Sequence, residues 1–298
     1  MASAMEFGVS LPSRGPLARP DIVLKIAAKA EALRYASVFV SDHIVLPTSS
    51  ARSVYPYSPT GQLPGGANQD YLEPLSLLAH LAQATTKVRL GTSVLVVPYR
   101  NPVTTAKTLA TIDVLSRGRV TDEYLSLMRA MWTKDPVSFA GRFYTVRDVH
   151  ALPKPVQRGG IPIWIGGHTD SALKRTAVLG DAWHPIGQRP PAMLLPDEYA
   201  AKVKQLQSYA HQAGRDPRTI ALTFRTPMEV RGAREKSPGG DRPLFQGTAA
   251  EVIDDVRRYQ ALGVSHIVFD PVRPDVKAAL ASLERFAHDV RPKVRASR

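Results

Sequence analysis

Three stretches of this sequence place groups able to do chemistry where a backbone would present them. Ser41-Asp42-His43 follows Ser37-Val-Phe-Val40, a β-branched and aromatic run that reads as a strand. An imidazole of ordinary pKa about 6.5 beside a carboxylate suits proton transfer, or hydrogen bonding to a reacting group, near neutral pH. Gly91-Thr92-Ser93 lies inside the apolar run Val88–Val97, where small hydroxylated residues let a ligand approach the backbone. Gly166-Gly167-His168-Thr169 follows Ile161-Pro-Ile-Trp-Ile165 and precedes a helical pattern. The first N–H groups of a helix lack intrahelical acceptors, so paired glycines there make a phosphate cradle. They serve a tight strand-to-helix turn equally well. His43 also reads as a hydrogen-bonded rim histidine, and Trp164 and Trp183 as core.

Other chemistries are excluded. The chain of 298 residues has no cysteine, which removes disulfides, thiolate nucleophiles and Cys-ligated metal sites. It lacks G-x-x-x-x-G-K-[ST], G-x-S-x-G, H-E-x-x-H and a G-x-G-x-x-G after the first strand. The histidines at 43, 80, 150, 168, 184, 211, 266 and 288 form no i, i+4 pair beside a carboxylate cluster, so no metal is expected. Lysine plus arginine exceed aspartate plus glutamate by 39 − 26 = +13. The densest basic stretches, Arg231–Lys236 and Arg291–Arg298, read as a flexible loop (about 231–247) and a basic tail (about 291–298). This charge implies an anionic small molecule or nonspecific attraction, with no specific nucleic-acid partner. No apolar run approaches the roughly 18 residues of a membrane span, and no secretory signal is visible. A cytoplasmic protein is the simplest expectation.

The elements that must carry these groups alternate. Strand Phe7–Leu11 is followed by an amphipathic helix with Val23, Ile26, Ala27, Ala30 and Leu33 on one face. Strands are expected at 37–41, 88–97, 161–165, 181–184, 219–230 and 264–269. Helices are expected near 71–85, 102–116, 122–132, 169–179, 197–213, 248–262 and 275–289. Thr248-x-x-Glu251 is a capping box, and Gly263 stands where a helix C-terminus wants a left-handed residue. A β-α alternation argues a parallel sheet, and with closure one (β/α)8 TIM barrel over 1–298. In that fold, reacting groups sit at the C-terminal ends of strands, which is where the three stretches fall. The rhythm breaks once. Ser116–Asp122 passes almost directly into the next helix, leaving room for only a vestigial fourth strand, and Val137–Val146 then reads as an extension turning at Gly141.

Taken in order, the motifs resemble the luciferase-like monooxygenase superfamily, and within it the actinobacterial branch that uses the deazaflavin coenzyme F420. The resemblance rests on Phe7-Gly-Val-x-Leu-Pro12, Ser37-Val-x-Val-x-Asp-His43 and Tyr55-Pro-Tyr-Ser58. It continues through Leu90-Gly-Thr-Ser-Val-Leu-Val-Val-Pro-Tyr-Arg-Asn-Pro102, Ala110-Thr-x-Asp-Val-Leu-Ser-x-Gly-Arg119, Ile161–Gly167 and Gly180-Asp-Ala-Trp183. It implies a barrel holding F420, or alternatively FMN, at its C-terminal face. It further implies Asp42 and His43 as catalytic residues beside the reactive ring. Thr92, Ser93 and Val94 would buttress the ring with a cis peptide, and Gly166, Gly167 and His168 would contact the cofactor phosphate. The implied reaction is hydride transfer between reduced deazaflavin and a small organic substrate, with a homodimer as assembly. The chain departs from the pattern at the fourth strand, where relatives carry a glycine-rich strand and a long acidic loop. Two alternatives stand beside this reading: an FMN-dependent monooxygenase, and, resting on that departure, a degenerate, cofactor-free barrel acting as a binding or structural subunit.

Overall fold

The computed structural model describes residues 5–44, 60, 62, 66, 68–96, 99–121, 126–140, 145–188, 193–232, 242–271 and 275–294. Its strands are β1 (Glu6–Ser10), β2 (Ser37–Val40), β3 (Arg89–Thr92), β4 (Val120–Thr121), β5 (Val137–Ala140), β6 (Thr145–Val149), β7 (Trp164–Gly166), β8 (Ala182–His184), β9 (Ala221–Arg231), β10 (Gln246–Thr248) and β11 (His266–Pro271). The helices are α1 (Pro20–Ala32), α2 (Pro74–Ala84), α3 (Pro102–Leu115), α4 (Ser126–Thr133), α5 (Asp170–Leu179), α6 (Pro196–Gln212), α7 (Ala249–Ala261), α8 (Val276–Arg285) and the short α9 (Arg291–Val294). No helix among the described residues is long and apolar enough to cross a membrane.

The parallel strands follow the order β4-β3-β2-β1-β11-β9-β8-β7, with β10 beside β9. This is the curled α/β architecture of a TIM barrel with one open seam. Among the described residues no ladder joins β4 to β7. The seam falls where the sequence loses its rhythm, since β4 is only two residues long. A side chain takes over part of a strand's work there. The Gln157 amide donates to the Val120 carbonyl (2.7 Å) and to Asp113 Oδ1 (3.0 Å). The fully buried Asp113 carboxylate also accepts the backbone N–H groups of Val120 (3.2 Å) and Val156 (2.8 Å). The Val120 N–H and carbonyl are thus satisfied without a partner strand, as buried peptide groups must be.

Side chains alternate across each strand. The outward set packs on the helices: Phe7 stacks on Phe269 (5.9 Å), and both meet Phe286 edge-on at 4.9 and 4.6 Å. Burying an aromatic ring of this size stabilises by roughly 1.5–3 kcal/mol. The inward set fills the lumen, where Phe39, Trp164 and His184 lie within 5.2–5.6 Å of one another.

Several expectations are refined. β3 ends at Thr92 instead of continuing through Val97, because the Ser93 carbonyl turns to the guanidinium of Arg225 and leaves the ladder. β7 covers Trp164–Gly166, shifted from 161–165. The 137–146 extension is the antiparallel hairpin β5-β6, with Gly141 outside the described residues. Of the loop expected at 231–247, residues 233–241 lie outside the described residues, while Phe245 is fully buried and Gln246–Thr248 pairs with β9. The capping box at Thr248 forms, and Gly263 has φ +89°. Residues 295–298 of the basic tail, and Tyr55–Ser58, lie outside the described residues.

Candidate active site

Asp42 and His43 leave β2 at its C-terminal end, but they do different things. Asp42 is 3% exposed, and its Oδ2 accepts the Val96 N–H (2.7 Å) and Arg100 Nη1 (2.6 Å). Its Oδ1 accepts Arg100 Nη2 (3.1 Å), which also donates to Glu73 Oε1 (2.9 Å). A carboxylate gripped in this bidentate way is a fixed anchor. These bonds tie the segment after β3 to β2, and the carboxylate expected to work beside His43 is engaged by Arg100. His43 is half-buried, with its ring edge-on to Tyr71 at 5.1 Å. Tyr71 is itself held through Ser41 Oγ (2.7 Å), which meets Ser13 Oγ (2.7 Å). Burial pushes the His43 imidazole below its ordinary pKa; the nearby Arg14 adds to this and Asp42 opposes it. At neutral pH the ring is uncharged and can accept a proton.

The other two stretches meet across the seam. A Cβ placed on Gly166 would stand 2.6 Å from Val94 Cγ1, so Val94 seats directly on the glycine. The Ser93–Val94 peptide is cis, the form the family resemblance implies. Thr92 is buried, on the strand face opposite Ser93 by alternation. Ser93 points into the lumen, where its hydroxyl lies 2.9 Å from Arg225 Nη1 and 3.2 Å from His184 Nε2.

Gly167 has φ +85°, in the left-handed region that favours glycine, and its carbonyl accepts the Trp183 indole N–H (2.8 Å). Thr169 caps α5 by accepting the Ala172 N–H (3.3 Å). His168 is half-buried, its pKa lowered by burial and by the charge of Lys202, against Glu198. The carboxylate of Asp170 in the first turn of α5 is occupied by Lys174 (2.7 Å), Gln205 (3.0 Å) and Tyr209. Its charge is offset before any anion arrives. The loop's conformation and the helix start suit a phosphate, and the positive charge of Lys202 is felt at His168.

The lumen also holds a constellation that sequence reading missed. Arg225 on β9 and Asp270 on the neighbouring strand β11 pair on the lumen side, with Ser10 on β1 as a further acceptor (2.9 Å). At the opposite end, Ser37 Oγ lies 2.9 Å from His266 Nε2, and His266 Nδ1 lies 3.2 Å from Glu6 Oε2. Nδ1 faces both Glu6 Oε2, which only accepts, and Arg89 Nη2, which only donates, each at 3.2 Å. The order matches an acyl-transfer triad, yet Ser37 is 1% exposed and sits at the end away from the strand C-termini. No substrate reaches it. Among the described residues no cluster of three or more His, Asp or Glu could hold a metal.

The model of the luciferase-like monooxygenase family matches residues 5–121 and 120–237, two segments that meet at β4, and the chain belongs to that family. A protein of Mycobacterium tuberculosis with no assigned activity is 27% identical over 91% of this chain and 95% of its own. A phthiodiolone/phenolphthiodiolone dimycocerosates ketoreductase of Mycobacterium kansasii is 29% identical over 84% of this chain and 70% of its own. Among solved structures, an F420-dependent secondary alcohol dehydrogenase in complex with an F420–acetone adduct superposes with TM-score 0.74 at 19% identity, covering 98% and 99% of the two chains. The coenzyme F420-dependent tetrahydromethanopterin reductase of Methanopyrus kandleri gives 0.75 at 16%, covering 98% and 100%. A riboflavin lyase with modified FMN gives 0.70 at 15%, covering 98% and 92%. At these identities the likeness is one of fold.

Proposed function

We propose that this member of the luciferase-like monooxygenase family is an oxidoreductase that transfers a hydride between the deazaflavin coenzyme F420 and a small organic molecule, a ketone or secondary alcohol. The observation that carries the reading is the convergence across the seam: Val94 seats on Gly166, beside a left-handed Gly167 at the start of α5. That arrangement offers a backing surface for a planar ring and, next to it, donors for the phosphate. Ser93 and Val94 would back the ring, while backbone N–H groups at Gly167 and His168, with Lys202, would hold the phosphate. When bound, the deazaflavin supplies the hydride chemistry. The uncharged His43 takes a proton from the alcohol oxygen, or as imidazolium gives one to the carbonyl oxygen. The net charge of +13 suits a cofactor with a phosphodiester and a glutamate tail.

Two observations favour other readings. The FMN-containing neighbour supports an FMN-dependent monooxygenase, since the same loop suits a single terminal phosphate. The open seam supports a barrel that binds without catalysing. Fluorescence titration of the purified protein with F420 and with FMN separates all three. Micromolar or tighter F420 binding with no FMN binding is expected. FMN binding alone selects the second reading, and binding of neither selects the third. The partners under the first reading are a small organic substrate and a second copy of the chain, the latter checked by light scattering.

A further inference from the structure

We propose that Arg225 is a positioning residue that fixes the Ser93–Val96 segment from inside the barrel lumen, so that the surface meant for the cofactor ring is rigid before the cofactor arrives. This rests on the proposed function for the identity of the ring, but not for the clamp itself.

Arg225 is only 9% exposed, and its donors are distributed with little waste. Nε and Nη2 both donate to Asp270 Oδ1 (3.0 and 2.8 Å). Nη2 also donates to Ser10 Oγ (2.9 Å). Nη1 donates to the Ser93 carbonyl and to Ser93 Oγ (2.9 Å). Asp270 and Ser10 come from the adjacent strands β11 and β1, and they fix the fork in the lumen. Its free edge then reaches across to β3, which is not its neighbour in the sheet.

The direction of the remaining bonds follows from the fixed roles at both ends. Arginine only donates, so Ser93 Oγ accepts from Nη1 and gives its own proton to His184 Nε2 (3.2 Å). Thr223 Oγ1 donates to the Trp183 carbonyl (2.8 Å), so it accepts from His184 Nδ1–H (2.6 Å). The chain Arg225→Ser93→His184→Thr223→Trp183 has one consistent polarity, with His184 as the neutral Nδ1–H tautomer. Both the carbonyl and the hydroxyl of Ser93 are therefore held.

The next residues are held from the other side. Val94 seats on Gly166, and the Val96 N–H is bound by Asp42. These three supports come from different strands and meet the segment where it leaves the ladder, whose last bond is the Ser93 N–H to the Val40 carbonyl (2.8 Å). Arg225 is the only one of them that grips the backbone from within the barrel. A lysine has donors but no planar fork, and so cannot serve Asp270, Ser10 and Ser93 together.

Arg225→Lys tests this, together with Arg225→Met/Asp270→Leu, which leaves no buried charge unpaired and so guards against simple misfolding. The first measurement is hydrogen–deuterium exchange on the cofactor-free protein. Amides of 93–96 should exchange at least tenfold faster in either folded variant, with β1 and β11 protected as before. The second is titration with F420, or with FMN if the wild type prefers it. The expected results are at least tenfold weaker affinity and a bound-cofactor absorption spectrum closer to that of free cofactor. Unchanged exchange at 93–96 overturns the clamp. Faster exchange with unchanged affinity and spectrum overturns its role toward the ring. Wild-type protein that binds neither cofactor overturns the proposed function and the ring's part in this inference, while the exchange result still decides whether the clamp exists.

Discussion

The two ends of the barrel lumen are built from the same materials and differ in what they hold. At the N-terminal end, Ser37, His266, Glu6 and Arg89 bond to one another, and every member stands on a strand. At the C-terminal end, Arg225, Asp270, Ser10 and His184 also stand on strands, but they grip Ser93, one residue past the end of β3. The first network closes on the sheet, whereas the second reaches out to a segment facing the candidate site. A buried polar network that is fully bonded rigidifies whatever it contains. Losses at the N-terminal end should therefore appear as stability, and losses at the C-terminal end as binding and turnover.

The largest effect expected on the functional side comes from His43, which lies above the C-terminal network. His43→Ala should lower turnover by about 100-fold or more, the range for removing a general acid or base. Because the ring is only half-buried, folding stability should change by less than about 1 kcal/mol. Steady-state kinetics beside a urea melt checks this. A variant with normal turnover and a large stability loss would move His43 to the structural side of the comparison.

The mirror-image experiment is His266→Leu. It removes the partner of the Ser37 hydroxyl at a site 1% open to water, and a buried polar group left unpaired costs about 1–3 kcal/mol. A loss of about 2–3 kcal/mol is expected in urea denaturation. Cofactor affinity per folded molecule should stay within twofold of wild type. Weaker binding in this variant would show that the two ends are coupled through the aromatic layer of Phe39, Trp164 and His184.

Gly167→Val probes the other wall of the site. With φ at +85°, any β-branched side chain is strained there by about 1–3 kcal/mol, so some loss of stability is expected in either case. If the loop cradles a phosphate, the folded variant should also bind cofactor roughly tenfold more weakly, equivalent to about 1.4 kcal/mol. Part of that loss should vanish at high salt, where charge attraction is already screened. Full affinity in the folded variant would remove the loop from the site and leave only a tight turn.

What sequence could and could not reveal follows the same division. Asp42-His43 and Gly166-Gly167 are contiguous and end apolar runs, so their place on the strand ends was legible. So were the alternating elements, the Thr248 cap and the left-handed Gly263, each set by local rules. The lumen networks were not. Ser10, Ser93, His184, Arg225 and Asp270 are scattered along the chain and meet only when the sheet curls. One signal was present: Arg225 interrupts the buried strand Ala221–Arg231, and a charge there demands a partner. The partner of Asp42 was not legible, because Arg100 sits beyond an apolar stretch that read as continuous strand.

The smallest effect concerns protons, and it tests whether the two ends are alike where they share a histidine. Burial pushes His184 well below its ordinary value of 6.5, helped by the charges of Arg225 and His266 against Asp270. His266 is also pushed below 6.5, by burial first and Arg89 next, although Glu6 pulls it up. Glu6 is held down to about 2 by its bond to His266 and by Arg89, and Arg89 at the same time opposes a charge on His266, so the two directions are compatible. As pH falls through about 6.5, the unfolded chain takes up protons at both histidines before the folded chain does, so stability must fall. Each such proton contributes a slope of up to about 1.4 kcal/mol per pH unit. Above that pH both states are neutral and neither histidine contributes. Glu6 acts in a separate window: its stabilisation is present above 4.5 and is lost as pH falls toward about 2. Urea melts at pH 7.5, 6.5 and 5.5 should therefore be nearly level over the first step and drop over the second. Both rings are buried, at 1% and 3% exposure, so His184→Leu and His266→Leu should each flatten the drop by a similar amount. Flattening by only one of them would mean that the other end admits a proton while folded, and the likeness between the two ends would stop at geometry.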